Sequence, residues 1–194
     1  KILETYKDRF VTFNNNMPDN FVLLRHDVEF SVNRALLIAE FETNKNVSSS
    51  FFFQVYSNAY NPFSADNILK IKRIKSLGHE VGLHLYVSHI QDNNYKELVS
   101  ELNKQKNLFE KGLSLKCNVF SIHRPPNWIL KYRSNNLGEM LNTYGESFFE
   151  FSKKPNQIKY ISDSQHKWAY GHPLDKNNFS KLQILLHPDE WSSK

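Results

Sequence analysis

Short apolar runs alternate with longer amphipathic stretches along almost the whole chain, and this alternation limits the possible folds more than any single residue does. Residues 21–24 (Phe-Val-Leu-Leu) are apolar and end in a charged cluster, Arg25 to Glu29; Ser31 can then cap a helix to about Asn44, with Val32, Leu36, Ala39 and Thr43 on one face. Residues 49–55 are rich in aromatic and β-branched types and suit a buried strand. Ser64 reads as a second cap, with a helix over 65–77 stopped by Gly78, followed by a strand over 80–85. A long amphipathic helix is predicted over 94–111, with Leu98, Leu102, Leu108 and Phe109 inward and Gly112 ending it. A strand over 116–122 leads into His123-Arg124-Pro125-Pro126; 137–144 reads as a short helix before Gly145, and 159–162 and 182–186 as late strands. Parallel strands need crossovers that helices supply, so the pattern argues for an α/β fold, either an open doubly wound sheet or a barrel. In both, ligands bind beyond the C-terminal ends of the strands.

Composition narrows the function classes. With 194 residues, 40% of them hydrophobic, the chain can bury one sizeable core, and a single domain over 1–194 is expected. No run of 18 apolar residues is present, so no membrane span is expected. Cys117 stands alone, which excludes an internal disulfide and Cys-rich zinc modules. The net charge of +5 is dispersed; its densest cluster, Lys70, Lys72, Arg73 and Lys75, has the spacing of a solvated helix face, so no nucleic-acid partner is expected. No glycine-rich phosphate loop follows any strand. No signal peptide opens the sequence, which favours the cytoplasm over export, although it starts at Lys1 and its natural N-terminus is open. Oligomeric state is not legible.

The polar residues gather at predicted strand ends. Asp27 and Glu29 follow the first strand, His84 closes the third with His89 five residues on, His123 and Arg124 follow the fourth, Asp163 the fifth and His187 the sixth. In a parallel sheet these would meet on one face, and carboxylates converging with imidazoles suit a divalent ion that takes N and O ligands. Each residue taken alone also has an ordinary reading: Asp27 and Glu29 near a helix start, His84 as a hydrogen-bonded strand residue, Arg124 as the brace of a turn. His79, His166 and His172 read as structural or solvated. The joint pattern carries the metal reading.

The order of motifs resembles the polysaccharide deacetylase superfamily, also called NodB-like or carbohydrate esterase family 4. Leu24-Arg25-His26-Asp27-Val28-Glu29 looks like its first motif, in the branch with an Arg-His-Asp-Val-Asp opening, and Gly78-His79-Glu80-Val81-Gly82-Leu83-His84 like its second. His123-Arg124-Pro125-Pro126 is similar to the third, Asp163 to Trp168 to the fourth, and Leu185-Leu186-His187 to the fifth, so the resemblance covers 24–188. It implies a distorted (β/α) barrel of mostly parallel strands and metal-dependent removal of an acetyl group from an acetylated sugar. By position, Asp27 matches the catalytic base, Arg124 the residue that orients it, His187 the catalytic acid and Asp163 its partner. Glu29 and His84 match metal ligands, His89 is the expected third, and Zn²⁺ is the expected ion. Trp168, Leu185 and Pro126 are expected to line the substrate pocket.

Two departures stand out: Glu29 occupies a position where the family has Asp, and its second histidine lies four residues after the first, where this chain has Ser88 and then His89. The expected activity is deacetylation of an N-acetylated sugar or surface-glycan precursor. Two alternatives stay open, a carbohydrate-binding homologue without full turnover and an amide or formyl hydrolase acting on a small non-sugar molecule.

Overall fold

A computed structural model of the chain describes residues 1–150, 158–175 and 179–191. In chain order the elements are α1 (Ile2–Thr5), β1 (Phe10–Val11), β2 (Phe21–Val28), α2 (Val32–Thr43), β3 (Ser50–Phe53), α3 (Ala65–Ser76), β4 (Glu80–Tyr86), α4 (Tyr95–Leu113), β5 (Val119–His123), α5 (Asn127–Leu130), β6 (Asn136–Leu137), β7 (Met140–Asn142), β8 (Lys159–Ser162), a 3₁₀ turn (Ser164–His166), β9 (Lys181–Leu186) and α6 (Pro188–Trp191). The strands form a nine-stranded sheet of order β6-β7-β5-β4-β3-β2-β9-β8, with β1 also paired to β2. Every pairing is parallel except β6 with β7. The sheet curls into a half-barrel, the expected distorted α/β barrel, with helices against its outer face.

Period-two alternation divides the central strand β2, all eight of whose residues are buried, between two environments. Val22, Leu24 and Val28 face outward into the clusters under the helices, while Phe21 and Leu23 join Phe52, Val119, Leu141 and Phe148 inside the barrel. The apolar plug they form closes the N-terminal end. Further along the same inner face come Arg25, Asp27 and then Glu29 just past the strand, so the charged residues stand above the plug at the C-terminal mouth.

The helices begin as expected: the Ser31, Ser64 and Asn94 side chains accept from the backbone N–H groups of Arg34, Asn67 and Glu97. Two sequence expectations change. Residues 137–144 form the β6–β7 hairpin, not a helix; Leu137, Met140, Leu141 and Tyr144 imitate helical spacing, but Gly138 at φ 60° opens a two-residue turn that reverses the chain. Gly112 does not end α4, which runs on to a left-handed Ser114. A Cβ on Gly112 would stand 2.2 Å from the Phe63 ring, so close approach is what requires glycine there. Gly112→Ala gains at most about 1 kcal/mol of helix propensity against about 1–3 kcal/mol of overpacking, and net destabilisation is expected in a denaturant titration. In a Phe63→Ala background the same change should become stabilising.

Candidate metal centre

The parallel register of β4 and β5 sets His84 beside Ser121 and Tyr86 beside His123. Because side chains two apart share a face, Ser121 and His123 both point inward, next to His84 and across from Asp27 and Glu29 of the β2 end. Three ligand atoms converge there: His123 Nδ1 lies 2.8 Å and His84 Nε2 3.4 Å from Glu29 Oε1, and the two nitrogens are 3.3 Å apart. Ligands at about 2.1 Å from a tetrahedral ion are spaced by about 3.4 Å, so the triad fits one face of such a site. Among the described residues, Glu29, His84 and His123 form the cluster able to hold a metal ion. Glu29 keeps 20% and His123 13% of its side chain exposed, leaving the cluster open on the side of the mouth.

Buried groups orient the ligands from behind. His84 Nδ1 is 2.7 Å from Ser121 Oγ, and that hydroxyl donates at 3.2 Å to Asp27 Oδ1. The hydroxyl proton is therefore engaged by Asp27 and Ser121 accepts from His84 Nδ1–H; with a cation in place, Nε2 would give its lone pair to it in place of the contact with Glu29. Burial works against the Glu29 charge, but hydrogen bonding to His123 and His84 outweighs it and holds the carboxyl well below its usual range.

Asp27 sits deeper, 2% exposed, in a bidentate pair with Arg25: Nε to Oδ1 at 2.9 Å and Nη2 to Oδ2 at 2.7 Å. Burial raises the Asp27 pKa, and the charges of Arg25 and His84 with the Arg25 hydrogen bond overcompensate, leaving it lowered. On the other side of the mouth, His187 Nδ1 is 2.7 Å from Asp163 Oδ1. Asp163 Oδ2 accepts from the His187 backbone N–H at 2.9 Å and from Trp191 Nε1 at 2.7 Å. Desolvation lowers the His187 pKa, but the Asp163 hydrogen bond and the charges of Asp27, Asp163 and Glu29 raise it above the ordinary histidine value.

The structure brings Asp27, Glu29, His84, Asp163 and His187 to the strand ends that line the mouth, and departs from the sequence reading at two positions. His89 does not reach the ligand cluster. The buried Val87 and Ile90 pin the turn after β4, and His89 points outward between them, 46% exposed, with Nε2 3.6 Å from Glu101. The Tyr86 ring stacks with both His89 and His123, at 6.0 and 6.2 Å between centroids. His123, which follows the fourth predicted strand, stands in the place expected for His89. Arg124 is exposed, adopts φ 48°, and its side chain makes no hydrogen bond or ion pair among the described residues; Arg25 holds Asp27 instead. Of the pocket residues, Leu185 is buried beside Arg25 in register, Pro126 caps α5, and Trp168 packs on His172 and Trp191. In the sequence, Arg25, Ser121 and Trp191 carry no assigned site role, and His123 stands among the converging strand-end residues without being named a ligand. The alternation Arg25-x-Asp27-x-Glu29 on one strand is the signal that could have found the first.

No family model and no curated protein sequence matches the chain. Solved structures do. A CE4 family pseudoenzyme from Bacillus anthracis superposes with a TM-score of 0.56 at 16% identity, over 86% of this chain and 54% of its own. A CE4 pseudoenzyme mutant with restored enzymatic activity gives 0.56 at 16% identity, over 86% and 56%. The CE4 domain of a multidomain xylanase from the hindgut metagenome of Trinervitermes trinervoides gives 0.56 at 13% identity, over 88% and 75%. A mutant of a peptidoglycan deacetylase from Bacillus subtilis gives 0.53 at 15%, over 87% and 75%. The chain thus has the fold of the CE4 polysaccharide deacetylases, and it spans little more than half the length of the first two structures. Among the described residues, no helix is long and apolar enough to cross a membrane.

Proposed function

We propose that residues 1–194 form one catalytic domain, a metal-dependent hydrolase that removes an acetyl group from an N-acetylated sugar or surface-glycan precursor. The observation that carries this reading is the convergence of the Glu29, His84 and His123 ligand atoms within 3.4 Å, beside a buried carboxylate and a histidine–aspartate pair. Two imidazole nitrogens and a carboxylate oxygen facing one another at these distances can close around a cation, and the N₂O set suits zinc best. Such an ion polarises an acetyl carbonyl and lowers the pKa of water bound to it.

The chain's own residues supply the proton transfers. Asp27, fixed by Arg25 and Ser121, accepts the proton of the attacking water. His187, whose pKa the Asp163 hydrogen bond raises, donates a proton to the departing amine, so that acetate and a free amino sugar leave. Leu185, on the inner face of β9 between Gln183 and His187, is the residue assigned here to meet the acetyl methyl. The lone, buried Cys117, with no disulfide, suits a reducing cytoplasm.

Asp27→Asn tests the reaction. It keeps the shape of the side chain but cannot take a proton, so acetate release from an N-acetylglucosamine oligomer should fall by at least about 10²–10⁴-fold with bound zinc retained. Full turnover by this variant would move the base elsewhere. The pseudoenzyme among the fold neighbours keeps a second reading in view, a glycan-binding homologue. That homologue would bind zinc and the oligomer while the unsubstituted chain releases no acetate.

A further inference from the structure

From the way its five donors are used, we infer that Arg25 is the residue that positions the catalytic base Asp27, and that Arg124 has no part in that task. The inference rests on the reading of Asp27 as the base. A guanidinium has five N–H donors in a fixed fork, and every one of Arg25's is taken inside the barrel. Nε and Nη2 hold the two Asp27 oxygens, Nη2 also reaches Tyr144 Oη at 2.9 Å, and Nη1 reaches Thr143 Oγ1 at 3.3 Å and Gln183 Oε1 at 3.2 Å.

The partners are themselves fixed. The Tyr144 hydroxyl donates to the Ile122 carbonyl at 3.4 Å, and Gln183 Nε2 donates to the Thr143 carbonyl at 3.1 Å, which turns its Oε1 toward Arg25. The Phe52 and Tyr144 rings lie 5.6 and 4.8 Å from the guanidinium carbon. Arg25 is fully buried, so the fork has one geometry, and Asp27 takes its orientation from it.

The position of His123 explains the arrangement. The last inward-facing place on β5 can present one side chain to the mouth, and His123 occupies it as a metal-ligand candidate. The next residue, Arg124, turns away in a left-handed conformation and is exposed. An arginine for Asp27 must therefore come from another strand, and β2 provides it two residues before Asp27 on the same face.

Arg25→Lys keeps a charge but loses the fork. It should keep the circular dichroism spectrum and zinc content, leave KM for an N-acetylglucosamine oligomer within about twofold, and lower kcat by about 100-fold, the scale of a small misplacement of a reacting group. Arg124→Ala should leave kcat within about twofold. Adding Asp27→Asn to Arg25→Lys should cost far less than it costs alone, because the two act as a unit. Additive losses, or a kcat loss on Arg124→Ala as large as that on Arg25→Lys, would overturn the inference.

If Arg25→Lys does not fold, Thr143→Val and Tyr144→Phe each remove one anchor of the fork and should lower kcat without loss of zinc; unchanged kcat in both counts against it. A thermal-unfolding cycle over Arg25→Lys and Asp27→Asn reads the pair without turnover. No acetate release by the unsubstituted chain would end the deacetylase reading. Coupled melting shifts would still uphold Arg25 as the residue that positions Asp27, and additive ones would refute it.

Discussion

His123→Ala should empty the metal centre. Zinc measured by elemental analysis is expected to drop from close to one ion per chain to near none, and acetate release by about 10³-fold or more. Loss of a partner behind a metal ligand typically weakens binding by about 10–100-fold, and loss of one of only three protein ligands exceeds that. Ser121→Ala should show the smaller effect, since Ser121 touches only His84 Nδ1 and Asp27 and contributes no ligand atom. His89→Ala is the contrasting control. Its ring lies beyond Tyr86 and beside Glu101, so zinc content and turnover should stay within about twofold of the unsubstituted chain. A zinc loss on His89→Ala with retention on His123→Ala would reverse the ligand assignment.

Asp163→Asn should alter the pH dependence of turnover more than any other change outside the metal centre. The His187 pKa is raised, and the Asp163 hydrogen bond is the largest contribution opposing burial. A proton donor works only while protonated, so in the unsubstituted chain activity falls as pH rises through that elevated pKa. In the Asp163→Asn variant the hydrogen bond and charge of Asp163 are gone while burial and the charges of Asp27 and Glu29 remain, so the descending limb of kcat against pH should move down toward the ordinary histidine value of about 6.5. At pH 8, with the limb at about 6.5, the loss should be up to about 30-fold, and much smaller at pH 6. The stability linkage has the same sign. The favourable His187–Asp163 interaction is fully present below the ordinary histidine pKa, is lost as pH rises through the raised one, and is missing from the variant throughout. A parallel drop at all pH values, with the limb unmoved, would place the donor elsewhere. Trp191→Phe removes one of the three groups holding Asp163 and should move the limb in the same direction by less.

Several parts of this arrangement are local and could be read directly. Serine caps ahead of apolar-periodic stretches begin α2 and α3, and strands between helices dictate parallel pairing, so a parallel α/β sheet with its polar residues at one end follows. Local spacing misled where two structures share it. Residues 137–144 carry helical periodicity, yet a glycine able to adopt φ 60° lets the same apolar residues face the core from a hairpin. Gly112 imitates a helix stop, while its purpose is to admit the Phe63 ring, a contact across 49 residues that no window of sequence contains.

The candidate site divides along the same line. Arg25, Asp27 and Glu29 share a face because a strand has period two, a property of the sequence once β2 is recognised. Asp163 and His187 end adjacent parallel strands, so their pairing also follows from strand order once β8 and β9 are joined. Which histidine completes the triad, and which arginine holds Asp27, are decided otherwise. His89 is near His84 in sequence, but burial of Val87 and Ile90 turns its loop outward. His123 is 39 residues from His84 and is brought to it by the register that pairs Tyr86 with His123. The sequence alone thus determined most of the elements, the end of the sheet where the polar residues gather and its charged strand. Only the tertiary structure, through cross-strand register and the burial that steers loops, selected the third member of the candidate metal cluster and the arginine partner of Asp27.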